Sequence, residues 1–258
     1  LENIVMAAQP AKAAVAAEPS TTDNLISIII PVLNDADALK KLLPDLQNDR
    51  LLGHEVLIVD GGSVDGSVTY ASALADRVLM TGTGRGRQMN LGAEQAQHSI
   101  LLFLHADSKL PTNALASISK ILEEPARHWG RFDVTLDANG IMYRVIESMM
   151  NLRSRITAVA TGDQGIFVRR LSFHEAGSFD SIPIMEDIAL SKALRKQSRP
   201  ACLSAKIITS ARRWQQHGTM KTILQMWMLR FAYFIGIKPD KLAQFYRSQE
   251  KSVREDKV

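Results

Sequence analysis

Cysteine is nearly missing from this chain: Cys202 stands alone among 258 residues. An internal disulfide and a cysteine-based zinc site are therefore excluded, and nothing points to an oxidising compartment. Cys202 itself reads as a small buried hydrophobe. Also lacking is any run of the roughly 18 apolar residues needed to cross a bilayer. The nearest run, Ile223 to Ile237, is interrupted by Gln225 and Arg230. The first residues have neither the basic start nor the sustained apolar core of a secretory signal. Residues 1–24, Ala-rich with Pro10, Pro19 and a Ser-Thr-Thr run, are expected to form a flexible leader with Met6 inside it. No Lys/Arg block is dense enough to argue for nucleic acid. A cytoplasmic location is the expectation.

What is present is ordinary globular composition, 46% hydrophobic and 22% charged, which argues against both disorder and a membrane bundle. The net charge of +4 is mildly basic and favours an anionic substrate or an anionic membrane face. The length suffices for one large domain with a full core.

From Leu25 onward, short apolar runs alternate with helical patterns. Ile26 to Ile30 is a β-branched run that stops at Pro31, as a buried strand would. Leu39, Leu42, Leu43 and Leu46 recur at helical spacing. Glu55 to Val59 is a second strand, ending at Asp60 and the tight turn of Gly61 and Gly62. A helix over 68–75, a strand over 77–80, a helix over 89–97 and a strand over 100–104 follow, then a helix over 114–122 with Pro111 near its start. Beyond Gly130 the expectations are a strand over 132–136, a helix over 141–156, a strand over 166–169, a helix over 186–196 and a strand over 206–209. Helical stretches at 219–236 and 239–250 close the chain. Such alternation implies an α/β fold with a mostly parallel sheet and helices on both faces. Ligands bind such sheets at the carboxyl ends of the strands. Asn34, Asp35, Asp60, His105 and Asp107 all directly follow apolar strands. No linker or repeat divides the chain, so one domain over 25–250 is expected. Its parts are a nucleotide-binding half (25–129), an acceptor and catalytic half (130–218) and C-terminal helices (219–250).

Four segments in order, Ile28 to Asp35, Val59 to Gly66, His105-Ala106-Asp107 and Met185-Glu186-Asp187, resemble the successive motifs of the family 2 glycosyltransferases, which have a GT-A fold. The resemblance spans roughly residues 25–215. Gly162 to Gly165 and Ser210 to Trp214 further resemble a bacterial subgroup of transferases associated with radical-SAM or selenium-type domains.

The resemblance implies a nucleotide-sugar donor, with Pro31, Asp35 and Asp60 lining the nucleotide pocket. A carboxylate such as Asp60 can accept from a base N–H or ribose hydroxyl, and it can equally cap its own turn. Leu33 stands where the family often has an aromatic residue. Expelling a nucleoside diphosphate calls for a divalent cation, Mn²⁺ or Mg²⁺, which chooses hard oxygen ligands. Asp107 is the implied ligand, and His105 occupies the first position of the family's Asp-x-Asp, where an imidazole suits Mn²⁺ better than Mg²⁺. An inverting transfer needs a base, and the resemblance assigns Asp187, with Glu186 as its supporting partner. Helix capping is the competing reading for that pair. Arg213 is placed to hold a diphosphate, and Trp214 to stack on a sugar or pack under the site. Asp163 and Gln164 are candidate acceptor contacts, and Arg85 and Arg87 candidate phosphate contacts.

Two other readings compete. A sugar nucleotidyltransferase would carry a Gly-rich, Lys-containing loop after the first strand, where this chain has Pro31-Val32-Leu33-Asn34-Asp35. A non-catalytic nucleotide-sugar-binding protein would have little use for both Asp107 and Asp187. The acceptor is unidentified, and a lipid-linked one stays open. Residues 220–237 form either a core helix or an interfacial one with Trp227 at headgroup level.

Overall fold

A computed structural model describes residues 24–246. The expected leader, apart from Asn24, and the end of the expected 239–250 helix lie outside the described residues. The first strand, β1 (Ile26–Val32), has Ile26, Ile28, Ile29 and Ile30 fully buried. A strand buried on both faces has to lie between two helical layers, and its β-branched side chains suit that place. The chain continues through α1 (Ala36–Asp45), α2 (Gln47–Leu51), β2 (Glu55–Asp60), α3 (Ser67–Leu74), β3 (Arg77–Met80), α4 (Arg85–Gln95) and β4 (Ile100–Phe103). A two-residue β5 (Ser108–Lys109) and α5 (Ala114–Leu122) lead to β6 (Trp129–Leu136) and α6 (Ile141–Thr157). After a 3-10 turn at Gly162–Gln164 come β7 (Ile166–Arg169), α7 (Arg170–Glu175), α8 (Glu186–Leu194), β8 (Ala201–Thr209), α9 (Arg212–His217) and α10 (Thr219–Phe234). A last helix begins at Pro239.

All eight strands join one sheet in the order β3-β2-β1-β4-β7-β6-β8-β5. Because side chains alternate along a strand, β1 feeds two cores. Ile28 and Ile30, with Val56 and Ile58 of β2, pack against Leu39 and Leu42 of α1, Ala71 of α3 and Ile118 of α5. Ile29, with Leu57 and Val59, packs on the other side against Met89 of α4, Phe173 of α7 and Leu190 of α8. Contact with α4 is close: a Cβ on Gly92 would lie 2.4 Å from Ile29 Cγ2.

Strands β1 to β4 pair in parallel, so their carboxyl ends emerge together. Two antiparallel insertions then fold the second half back onto that edge. Ile166 at the start of β7 pairs with Phe103 at the end of β4, which sets the Gly162–Gln164 turn beside His105. Ser108 of β5 pairs with Thr209 at the end of β8, which brings residues 210–212 next to Asp107.

The expected elements form within a few residues of their predicted limits; the short helices α2 and α7 are additions. The strand β5 is too short to leave a sequence pattern. Strand β8 begins at Ala201 rather than near 206, because its first half, Cys202-Leu203-Ser204-Ala205, joins by parallel pairing with β6 through a register shift at Phe132 and Asp133. The closing helix is preceded by a separate α9.

Candidate active site

The loops after β1 and β2 are fastened to each other. Asn34 Oδ1 accepts from the Val64 amide at 2.8 Å, and Ser63 Oγ accepts from the Asn34 amide at 2.8 Å. Asp65 accepts from the Ala36 amide at 3.0 Å. Behind them, Gln88 of α4 is buried and its Nε2 donates to both Val32 and Val59 carbonyls at 2.8 Å, tying the ends of β1 and β2 to one helix. Asp60 is fully buried, and its carboxylate accepts from the Ser63 amide at 2.8 Å and the Gly62 amide at 3.3 Å. It therefore holds the turn in this structure, the second of its two expected roles. Asp35 stands 3.7 Å from Arg212 Nη1.

A small crevice is lined by Arg85, His105, Gly162, Glu186 and Asp187 among others. Three chain segments meet in it. His105, after β4, has Nδ1 3.3 Å from Asp163 Oδ1. Its ring lies on Gly162, where a Cβ would come within 2.4 Å of Nε2. The Gly162 amide in turn donates to Asp187 Oδ2 at 2.9 Å, while Asp187 Oδ1 accepts from the Ile188 amide at 2.7 Å. One helical turn further on, Ser191 Oγ bonds both the amide and the carbonyl of Ala160, so α8 is clipped to the 160–162 backbone at two successive turns.

Burial pushes the Glu186 carboxyl above its ordinary range, and the neighbouring Asp187 charge pushes in the same direction. Asp107 is exposed at the end of the loop that follows β4. Protein atoms crowding around it raise its pKa, His105 opposes the rise, and the charges of Asp163 and Asp35 add to it. Arg212 also acts on Asp107, so Asp35, Arg212 and Asp107 form one electrostatic group at the mouth.

The residues present fit a divalent cation only where donor phosphates complete its shell. Among the described residues no three His, Cys, Asp or Glu side chains gather as a ligand set. His105 Nδ1 is 3.3 Å from Asp163 Oδ1, and its Nε2 lies over the Gly162 backbone. The Asp107 carboxylate, with or without His105, fits Mg²⁺ or Mn²⁺ shared with donor phosphates and does not fit an all-protein cage.

Several expected contacts fall elsewhere. Gln164 is fully buried and accepts from the Thr161 amide, closing its turn, so Asp163 is the member of that pair set beside His105. Trp214 packs against a small cluster of Leu136, Ile146 and Ala211. The Arg213 side chain lies outside what the structure describes. Pro31, the last residue but one of β1, is half-buried in the sheet and paired with Val59. Arg87 is exposed and folds back over Gly82, whereas Arg85 lines the crevice. Of the two adjacent arginines before Trp214, Arg212 is the one whose side chain the structure sets near Asp35, and Arg153 is a residue the sequence does not single out. Arg212 owes its place to the pairing of β5 with β8. Arg153 sits on α6 within electrostatic reach of Asp187 and Asp163, a proximity between segments that no local pattern records.

A mixed sheet with a crevice at its parallel carboxyl edge, acidic side chains at the strand ends and a carboxylate pair at a helix start define the GT-A class of α/β fold. The chain belongs to glycosyl transferase family 2, whose model matches residues 27–177. Among curated proteins it is similar to a PGL/p-HBAD biosynthesis glycosyltransferase of Mycobacterium tuberculosis, 33% identical over 108 residues, covering 39% of this chain and 42% of that protein. It is also similar to an undecaprenyl-phosphate 4-deoxy-4-formamido-L-arabinose transferase of Pseudomonas syringae, 29% identical over 161 residues, covering 56% and 46%. The chain thus spans less than half the length of these curated relatives. Its fold is shared with S. aureus TarS in complex with UDP-GlcNAc, at TM-score 0.61 and 20% identity over 72% of this chain and 58% of that one. The same holds for a mannosyltransferase of Pyrobaculum calidifontis in complex with GDP-Man and Mn²⁺, at TM-score 0.58 and 17% identity over 85% and 64%.

The raised pKa of Glu186 carries a stability consequence. In the unfolded chain the group ionises near the ordinary glutamate value, and in the folded chain only at higher pH. The stabilising effect of keeping it protonated is complete below the unfolded value and is lost as pH rises through the folded one. Glu186→Gln is therefore expected to raise the urea midpoint at pH 8 and to leave it unchanged at pH 4. Equal midpoints at both would show that the site tolerates the charge.

Proposed function

We propose that this chain is an inverting glycosyltransferase that moves a sugar from a nucleoside-diphosphate donor to an acceptor hydroxyl. The observation that carries the reading is Asp187: its carboxylate is fixed in the crevice by the Gly162 and Ile188 amides, beside His105 and Glu186. Structures of the same fold with UDP-GlcNAc and with GDP-Man support a donor of that class. The nucleoside lies over the Pro31 and Asp35 edge, against the turn that Asp60 holds. Arg85 and Arg212 flank the diphosphate. The acceptor oxygen attacks the anomeric carbon from the side opposite the leaving group as Asp187 takes its proton. The bond from the anomeric carbon to the phosphate oxygen breaks, and its electron pair leaves with the nucleoside diphosphate. A divalent cation held by Asp107 and the donor phosphates would offset the charge that accumulates there. Membership of the radical-SAM- or selenodomain-associated subgroup rests on the 162–165 and 210–214 runs alone.

The acceptor enters from the α10 side. Tyr233 lies over Lys192, whose Nζ is 4.7 Å from the ring centroid, and its pKa is raised by burial and by Asp180 and Asp187. The opposite face of α10 exposes Leu224, Trp227, Phe231 and Phe234. This helix holds no acidic residue, while Lys221 and Arg230 are both basic. No helix among the described residues is long and apolar enough to cross a membrane. An apolar stripe with only basic charges suits the surface of an anionic bilayer, and with it a lipid-linked acceptor.

Asp187→Asn keeps the side chain's size and cannot accept a proton. Transfer is expected to fall by about 10²-fold or more, with donor affinity unchanged by calorimetry; near-normal turnover would return Asp187 to a helix-capping role. For the cation, UDP or GDP should raise the melting temperature far more with Mn²⁺ than with EDTA. Asp107→Ala should remove that increment, and an equal increment in EDTA would exclude Asp107 as a ligand. For the membrane, wild type should float with anionic liposomes and not with neutral ones. The Trp227→Ala, Phe231→Ala double variant should stay in solution, and a wild type that never floats makes the acceptor a soluble molecule.

A further inference from the structure

Helix α4 touches three parts of the site at once, each through two residues four positions apart on one helical face. Gln88 donates to the Val32 and Val59 carbonyls, and Gly92 lies on Ile29. Arg85 and Met89 line the crevice. Gly86 and Asn90 face the segment 177–185, which leads from α7 into α8. There Asn90 Nδ2 donates to the Phe179 carbonyl at 2.9 Å, and Asn90 Oδ1 accepts from the Phe179 amide at 3.0 Å. A Cβ on Gly86 would lie 2.8 Å from the Asp180 carbonyl oxygen and 3.7 Å from Glu186 Cβ. Gly86, Asn90 and Gly92 all weaken a helix, and each stands at one of these contacts. Little else holds the segment. Phe179 alone among its residues is buried, with its ring against Phe103 and Phe173 at centroid distances of 4.9 and 5.5 Å. Ser178 and Met185 take left-handed φ values of 62° and 71°, which neither side chain favours, so contacts rather than local preference set the path. A side-chain amide offers a donor and an acceptor as a peptide group does, and Asn90 thus pairs with Phe179 as a neighbouring strand would.

We propose that Asn90 is a positioning residue for the transfer: by holding Phe179 it fixes the course of 177–185, and with it where α8 begins and where Asp187 meets the Gly162 amide. This rests on the glycosyltransferase reading above and adds a residue that touches neither substrate nor base. The path from Asn90 to Asp187 is continuous. Phe179 is clamped, Asp180 and Glu186 lie against Gly86, and the left-handed Met185 caps the helix that Glu186 and Asp187 open. On the far side of Asp187, Ser191 clips α8 to Ala160. Asp187 therefore has two supports, one behind it on α8 and one ahead of it in the chain. A general base has to stand within hydrogen-bond reach of the acceptor proton, and a displacement of about 1 Å costs on the order of 10²-fold in rate. Because α4 also carries Arg85 into the crevice, one helix keeps the phosphate contact and the base in register.

The test is amide hydrogen exchange of the full chain, resolved by NMR, together with kinetics. In Asn90→Ala the Gly162 amide, which Asp187 accepts from, should exchange about tenfold faster, while the Ala160 amide, held by Ser191, stays within about twofold of wild type. Gly86→Ala, which presses on Asp180 at the other contact, should give the same pattern. UDP affinity in the presence of Mn²⁺ should stay within about twofold in both variants, because Gln88 and Gly92 keep α4 on the sheet. With water as acceptor, hydrolysis of UDP-GlcNAc and of GDP-mannose supplies the kinetic readout: kcat should fall about tenfold with donor KM unchanged. A wild type that hydrolyses neither donor counts against the glycosyltransferase reading, and the exchange rates then still decide the role of Asn90. The proposal is overturned if the Gly162 amide exchanges in both variants as it does in wild type, or if it exchanges faster and kcat is unchanged. It is also overturned if the Gly162 and Ala160 amides speed up together and the melting temperature falls, because Asn90 then supports the fold as a whole.

Discussion

The contact on which the active site depends is a backbone one, at Gly162. Its α-carbon lies so close to the His105 ring that no side chain fits, and its amide holds Asp187. The next residue, Asp163, reaches back to the same imidazole. A single turn thus joins the end of a parallel strand, an antiparallel insertion and the start of α8. Moving any of the three moves the others, because the joint is made of close packing and of backbone hydrogen bonds that have no slack.

Around that joint the protein holds charges that folding alone would not select. Glu186 is buried beside Asp187, and Nε and Nη2 of the half-buried Arg153 meet no hydrogen-bond partner among the described residues. Elsewhere in the molecule buried charge is answered directly, as Glu55 is by Ser27 and Arg77, and Arg131 by Asp133. Unanswered buried charge concentrated at one place is the physical mark of a site that awaits a ligand.

The helix α10 has two faces with different surroundings. Leu229 is buried and Tyr233 lies near Asp187, while Leu224, Trp227, Phe231 and Phe234 look outward. A helix with apolar residues on most of its circumference is ambiguous in sequence between a core element and an interfacial one. Among the described residues the outer side chains of α10 are exposed.

Much was legible in the sequence alone. The buried strands β1, β2 and β4, the helices between them and the polar residues at the strand ends all follow from local hydrophobic period and turn residues, since each depends on neighbours within a dozen positions. The carboxylate pair at the start of α8 was visible for the same reason. Tertiary structure alone decided the rest. That Asp60 and Gln164 turn inward, that Arg85 rather than Arg87 lines the crevice, and that Arg212 meets Asp35 are outcomes of loop conformation and of the β5–β8 pairing. Such contacts join residues dozens of positions apart, and a sequence records which side chains are available for them without recording which will meet.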